Sequence, residues 1–266
     1  MRDRDSLPQA LRQARAGTLS HVISPPPEIL VLLVSGAAWA LLAARPHTTD
    51  WAAICATTSG GGWKRIDEIA ITAWQLGAAR EAMVDWGLMA LAMVPVLAVP
   101  MVRFVAARSF AERRTRAVSE FLMGSLAVWM VAGVVLLPVL VMGALPDATH
   151  ATAAAAAFGL AALWQVAPPK RAALERCHRT TALTANGWRA DRDCVVLGAE
   201  SAIHCVISCW AMMLACAVSQ HSLAALLLVQ GITMHERATQ APVPSRYALL
   251  LALCAVAAAI GLMPLP

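Results

Sequence analysis

Residues 204–221 read HCVISCWAMMLACAVSQH, three cysteines and two methionines in an otherwise apolar run. At about 100° per residue, Cys205, Cys209, Met212 and Cys216 fall within roughly 60° of one another on a helical wheel, with Ser201, Ser208 and Ser219 beside them. Thiolate and thioether donors select Cu(I) and, together with imidazole, other late transition metals. Calcium or magnesium would require oxygen donors. Cys205 and Cys209 stand one turn apart and can share an ion, whereas Cys216 lies about 16 Å from Cys205 and can serve only a second position. Two sulfurs do not complete a site, so other helices must contribute.

Met89 and Met93, again one turn apart, follow Trp86. Antiparallel counting puts Met93 roughly 10 Å from the outer face, a depth similar to that of Cys209. Glu200 and His204 form an i, i+4 pair on the face adjoining the sulfur stripe. An ionisable residue inside a span is costly unless paired or wet and marks a functional site by default. This pair could orient a ligand, relay a proton or simply neutralise itself. Cys177 with His178, and the Met234-His235-Glu236 run, add candidates on the inner side. Each feature also has a packing reading. Cysteine is among the most buried residue types, methionine fills gaps in helix cores, and buried polar pairs fix helix register.

The elements that must position these residues follow from composition. Of 266 residues, 59% are hydrophobic and only 14% charged, which excludes an ordinary soluble domain. Seven segments approach the roughly 20 apolar residues that cross a bilayer: 28–44, 86–107, 121–145 (with a kink expected at Pro138), 149–167, 194–219, 222–236 and 247–263. Lys and Arg concentrate in cytoplasmic loops. With the amino terminus inside, the tail 1–27, the loop after segment two, the loop at 168–193 and the loop after segment six are all basic, while the turns after segments three and five carry no Lys or Arg. The expected fold is therefore all-α, a polytopic bundle of about seven transmembrane helices, amino terminus inside and carboxyl terminus outside, in a bacterial cytoplasmic membrane. The basic pI reflects that orientation, and nucleic acid is not an expected partner.

Segment one could instead be a signal peptide, but a 27-residue tail is long for that role, and retention as a helix is expected. The extracytoplasmic loop 45–85 carries Gly60, Gly61 and Gly62 and then an amphipathic run over 66–82, read as an interfacial helix. No Lys-Ser/Thr follows the glycines, so no phosphate loop is present. Neither a serine-nucleophile elbow nor an HExxH helix occurs, and no enzymatic activity is expected. Seven cysteines, five of them within the expected spans, do not suggest a disulfide framework.

Four local patterns resemble a bacterial family of predicted metal-binding integral membrane proteins, a domain of unknown function. They are Trp86, Leu88, Met89, Ala92, Met93 and Pro95; Phe121, Gly124, Val128 and Trp129; Trp164, Gln165, Pro168, Lys170, Arg171, Leu174 and Cys177; and Cys205, Cys209, Trp210, Ala211 and Met213. The resemblance spans about residues 85–237. It implies a metal-binding membrane bundle, but the chain departs from the pattern. Ser201, Ser208, Ala173 and Arg176 stand where the family carries Cys or His, while Cys177, Cys205 and Cys209 remain. Nearby His204, Glu200 and His178 could substitute, or metal binding could be lost with the fold kept.

Stripe and resemblance together suggest a protein that binds or passes a soft metal, copper above all, across the bilayer or to a metalloprotein. Cys205 and Cys209 would be the thiolate ligands, with Met212, Met93, Met89, His204, Glu200, Cys177 and His178 as further candidates. Two other readings stay open. One is a non-catalytic membrane subunit or assembly partner that uses the stripe as a packing face. The other is a proton-coupled small-solute transporter working through Glu200.

Overall fold

A computed structural model describes residues 26–44, 77–142, 147–177, 180–184, 186–219, 221–239 and 244–262. These contain eight helices: α1 (Pro27–Ala44), α2 (Ala78–Arg108), α3 (Arg114–Met142), α4 (Asp147–Gln165), α5 (Pro168–Arg176), α6 (Gly187–Val218), α7 (Leu223–Ala238) and α8 (Pro244–Ala259). Each of the seven expected segments is helical over most of its described residues, and α5 adds a short helix inside the expected basic loop. α1, α2, α3 and α6 are long and apolar enough to cross a membrane, and the bent pair α4–α5 would be a fifth span. At 16 residues, α7 and α8 reach only about 24 Å, short of a hydrocarbon core about 30 Å thick. The structure therefore carries four or five candidate spans where the sequence suggests seven. The tail 1–25, Cys55, the three glycines and most of the amphipathic run lie outside the described residues; 78–82 form the first turns of α2. Helix α3 continues past position 138 to Met142.

The tightest pairing joins α3 and α6. A Cβ added at Gly124 would overlap the carbonyl of Val195, and one added at Gly198 would overlap that of Phe121. The two glycines thus let the backbones meet in a reciprocal contact, the small-residue packing that membrane helices use where apolar side chains gain little from leaving lipid. Both helices run the same way: Arg113 and Arg116, at the start of α3, pair with Asp191, in the second turn of α6, and Glu120 joins both arginines. Helix α2 packs between α1 and α3, while α4 lies against α6 and α8. Trp86 donates its indole Nε1–H to the Trp129 carbonyl at 2.8 Å and lies tilted against that ring at 6.1 Å between centroids, tying α2 to α3. Two of the motif tryptophans are thereby accounted for by helix contact.

Two apolar cores result. One, around Val102, Val105, Phe121 and Leu197, fills the end where α2 finishes and α3 and α6 begin. The larger one gathers Trp86, Trp129, Phe158, Leu226 and the sulfur stripe.

Candidate metal centre

Local sequence sets the depth of each site residue. Helix α4 stops at Gln165 because Pro168 and Pro169 follow, and the residue before a proline is driven out of the α region. Ala167 is extended (ψ 134°), and proline opens α5. The chain turns by 69° there, so α5 lies across α6 and delivers Lys170 and Cys177 to it. Trp164 donates to the Ile207 carbonyl at 2.9 Å and stacks edge-on against Trp210, pinning the end of α4 to the middle of α6. On the other side, α6 and α7 form a tight hairpin. The His221 amide donates to the Cys216 carbonyl, and the Ser222 amide to that of Ser219. Antiparallel helices leaving one turn come level at equal distances from it, so Glu236 and Arg237 return to the height of Cys205.

The result is a layer of sulfur and charge. Cys205 and Cys209 place their Sγ atoms 3.9 Å apart, and both residues are 4% exposed. The Cys209 thiol donates to the Cys205 carbonyl, and Ser208 Oγ donates to that same carbonyl. Arg237 donates to the Leu97 carbonyl at 3.2 Å and lies 3.8 Å from Cys177 Sγ. Its charge is also felt at Cys205 and Cys209. Lys170 pairs with Glu236 at 2.9 Å, the two side chains 2% and 3% exposed, and lies close enough to act on Cys209. Gln165 donates through Nε2 to Met212 Sδ at 3.2 Å, and its Oε1 has no protein partner. A cavity of about 750 Å³ opens beside this layer, lined by Gln165, Lys170, Glu175, Glu236 and Arg237 among others.

The sequence candidates divide accordingly. Cys205, Cys209 and Met212 share one buried face, and Cys177 reaches the same layer through α5. Cys216 is buried higher up, its thiol directed at the Ala225 carbonyl across the hairpin. Met89 and Met93 enter the same apolar core, but α2 packs along α1 and α3 rather than along α6. Depth alone could not reveal this, since equal depth says nothing about which helices touch. Glu200 is exposed and His204 half-buried, and no hydrogen bond or ion pair joins them; 100° per residue turns Glu200 away from the packed face of α6. His178 lies outside the described residues. His235 faces outward and bonds the Tyr247 hydroxyl. The six described cysteines are all free thiols.

Lys170 and Arg237 escaped the sequence reading because both fit the count of cytoplasmic positive charge. Counting back from the 219–222 turn would have found Arg237 opposite Cys205.

Among the described residues no three His, Cys, Asp or Glu side chains converge into a metal site; Cys205 and Cys209 bring two sulfurs to 3.9 Å. With a metal–thiolate bond of about 2.3 Å, their separation subtends roughly 115° at an ion, which leaves room for a third donor. Residues 83–263 match the family model described as PpoB2: Copper chaperone. Searches of curated proteins and of solved structures gave no significant match.

Proposed function

Because the chain belongs to the PpoB2 copper chaperone family, we propose that it is a membrane carrier of Cu(I) whose cargo sits between Cys205 and Cys209. The observation that supports this reading is the 3.9 Å sulfur pair, buried and facing the cations of Lys170 and Arg237. Thiolates are the donors that select Cu(I). Met212, on the same face and held by Gln165, supplies a neutral third donor. Cys177 touches Arg237, which lines the cavity, and stands as the sulfur that an entering ion meets first. The ion is cargo that leaves unchanged, so the role asked of the protein is transfer to a copper-dependent client and not catalysis. The bacterial cytoplasmic membrane is the proposed location.

Metal content of the detergent-purified, reduced protein tests this reading. Wild type loaded with Cu(I) should retain stoichiometric copper, and Cys205→Ser/Cys209→Ser should retain almost none. Equal copper in both, or none in either, overturns it. The packing reading keeps one residue, Cys216, whose thiol meets the backbone of α7. The transporter reading lacks a comparable observation, since Glu200 does not enter the bundle.

A further inference from the structure

The charges around the sulfur pair do not balance. Among the described residues, Lys170 and Arg237 are the cations acting on Cys205 or Cys209, and Glu236 is the one carboxylate in the layer. Glu236 is spent on Lys170 at 2.9 Å. Arg237 bonds the Leu97 carbonyl and Cys177 Sγ and has no ion pair among the described residues, although Glu236 and the thiols of Cys205 and Cys209 lie within its field. Arg171 and Glu175, at the cavity mouth, are exposed and solvated. The layer therefore holds one more cation than carboxylate, and the extra one, Arg237, is half-buried at the cavity wall. A charge held away from water is expensive unless compensated.

Resting on the assignment of the cargo to Cys205 and Cys209, we infer that Arg237 sets the charge of the ion the site accepts, favouring a monovalent soft cation over a divalent one. Two thiolates with Cu(I) carry one net negative charge, which the leftover cation neutralises. Two thiolates with Zn(II) carry none and leave Arg237 uncompensated. Cu(I) and Zn(II) have the same closed d shell, so in this respect they differ chiefly in charge. Met212 is a neutral donor and does not alter the balance. Arg237 is thus a positioning residue for selectivity: it binds no metal but fixes the potential in which metal is bound. Charge–charge energies in a partly buried layer are several-fold larger than in water, enough to shift relative affinity by tenfold or more per unit charge.

The test is competitive binding of Cu(I) against Zn(II), repeated with Ag(I) against Cd(II), on the full-length protein in detergent. Arg237→Gln should lower the preference for the monovalent ion about tenfold or more, and Arg237→Lys should restore most of it. Glu236→Gln frees a second cation and should move the preference the opposite way. General damage to the bundle would weaken all ions alike and could not produce shifts of opposite sign. An Arg237→Gln ratio within about twofold of wild type, or a Glu236→Gln shift in the same direction as Arg237→Gln, overturns the inference. If Arg237→Gln does not fold, the sign of the Glu236→Gln shift decides alone. Wild-type protein without cysteine-dependent Cu(I) overturns instead the cargo assignment on which the inference stands.

Discussion

Lys170 and Glu236 form an ion pair at the wall of the cavity with side chains only 2% and 3% exposed. Such pairs contribute little net stability, because desolvation offsets their attraction, but removing one partner leaves the other exposed to the full penalty. Lys170→Met alone should destabilise the protein by about 3–5 kcal/mol, measured as a fall in detergent unfolding midpoint. Lys170→Met/Glu236→Met should recover most of that loss. A double variant no better than the single would show that the pair is not the reason for either residue. Cys177 offers a kinetic counterpart. If it is the first sulfur met from the cavity, Cys177→Ser should slow Cu(I) loading several-fold while final copper content stays near wild type. Copper content falling as far as in the Cys205 variant would instead make Cys177 a full ligand.

At the level of elements, the site depends on three devices that bring distant segments level. The Pro168-Pro169 break turns α5 across α6. The 219–222 hairpin sets the register of Arg237 against Cys205. The reciprocal glycine contact holds α6 against α3. The last can be tested without touching the layer of Cys205 and Cys209. Gly124→Leu or Gly198→Leu must push the two backbones apart, and overpacking of this kind costs about 1–3 kcal/mol or more. The expected outcome is a lowered unfolding midpoint for each, with the Cu(I) preference over Zn(II) unchanged in whatever protein remains folded. An unaltered midpoint would mean that the helices do not meet there. Phe121 and Gly124 belong to a pattern shared with the resembling family, and the structure gives both a packing role, as it does Trp86 and Trp129. A shared motif in this chain can therefore mark helix contacts rather than ligands.

Over the whole molecule, the arginine-rich end of α3 and α6 and the sulfur layer are separated by an apolar core around Phe121 and Leu197. The parallel run of α3 and α6 agrees with a shared orientation for both. With the amino terminus inside, reporter fusions after Arg116 and near Arg189 should be active only as cytoplasmic reporters, and a fusion near His221 only as an external one. Two fusions at 116 and 189 on opposite sides would refute the orientation.

Much of this was legible in the residues alone. Helical content followed from apolar runs, because backbone polar groups in lipid must be satisfied within their own segment. The stripe of Cys205, Cys209, Met212 and Cys216 followed from the helical period, which is a local property. What periodicity cannot supply is the neighbour. Nothing in the spacing of Met89 and Met93 shows that α2 packs along α1 and α3, and nothing in the 168–193 loop shows that Lys170 is buried. Arg237 looks like a topology charge until the hairpin folds it back onto the thiols. Local chemistry is written along one helix, whereas the charge around a site is summed over residues far apart in the chain. For that reason the sequence determined the candidate donors, and only the tertiary structure decided the electrostatic setting in which they sit.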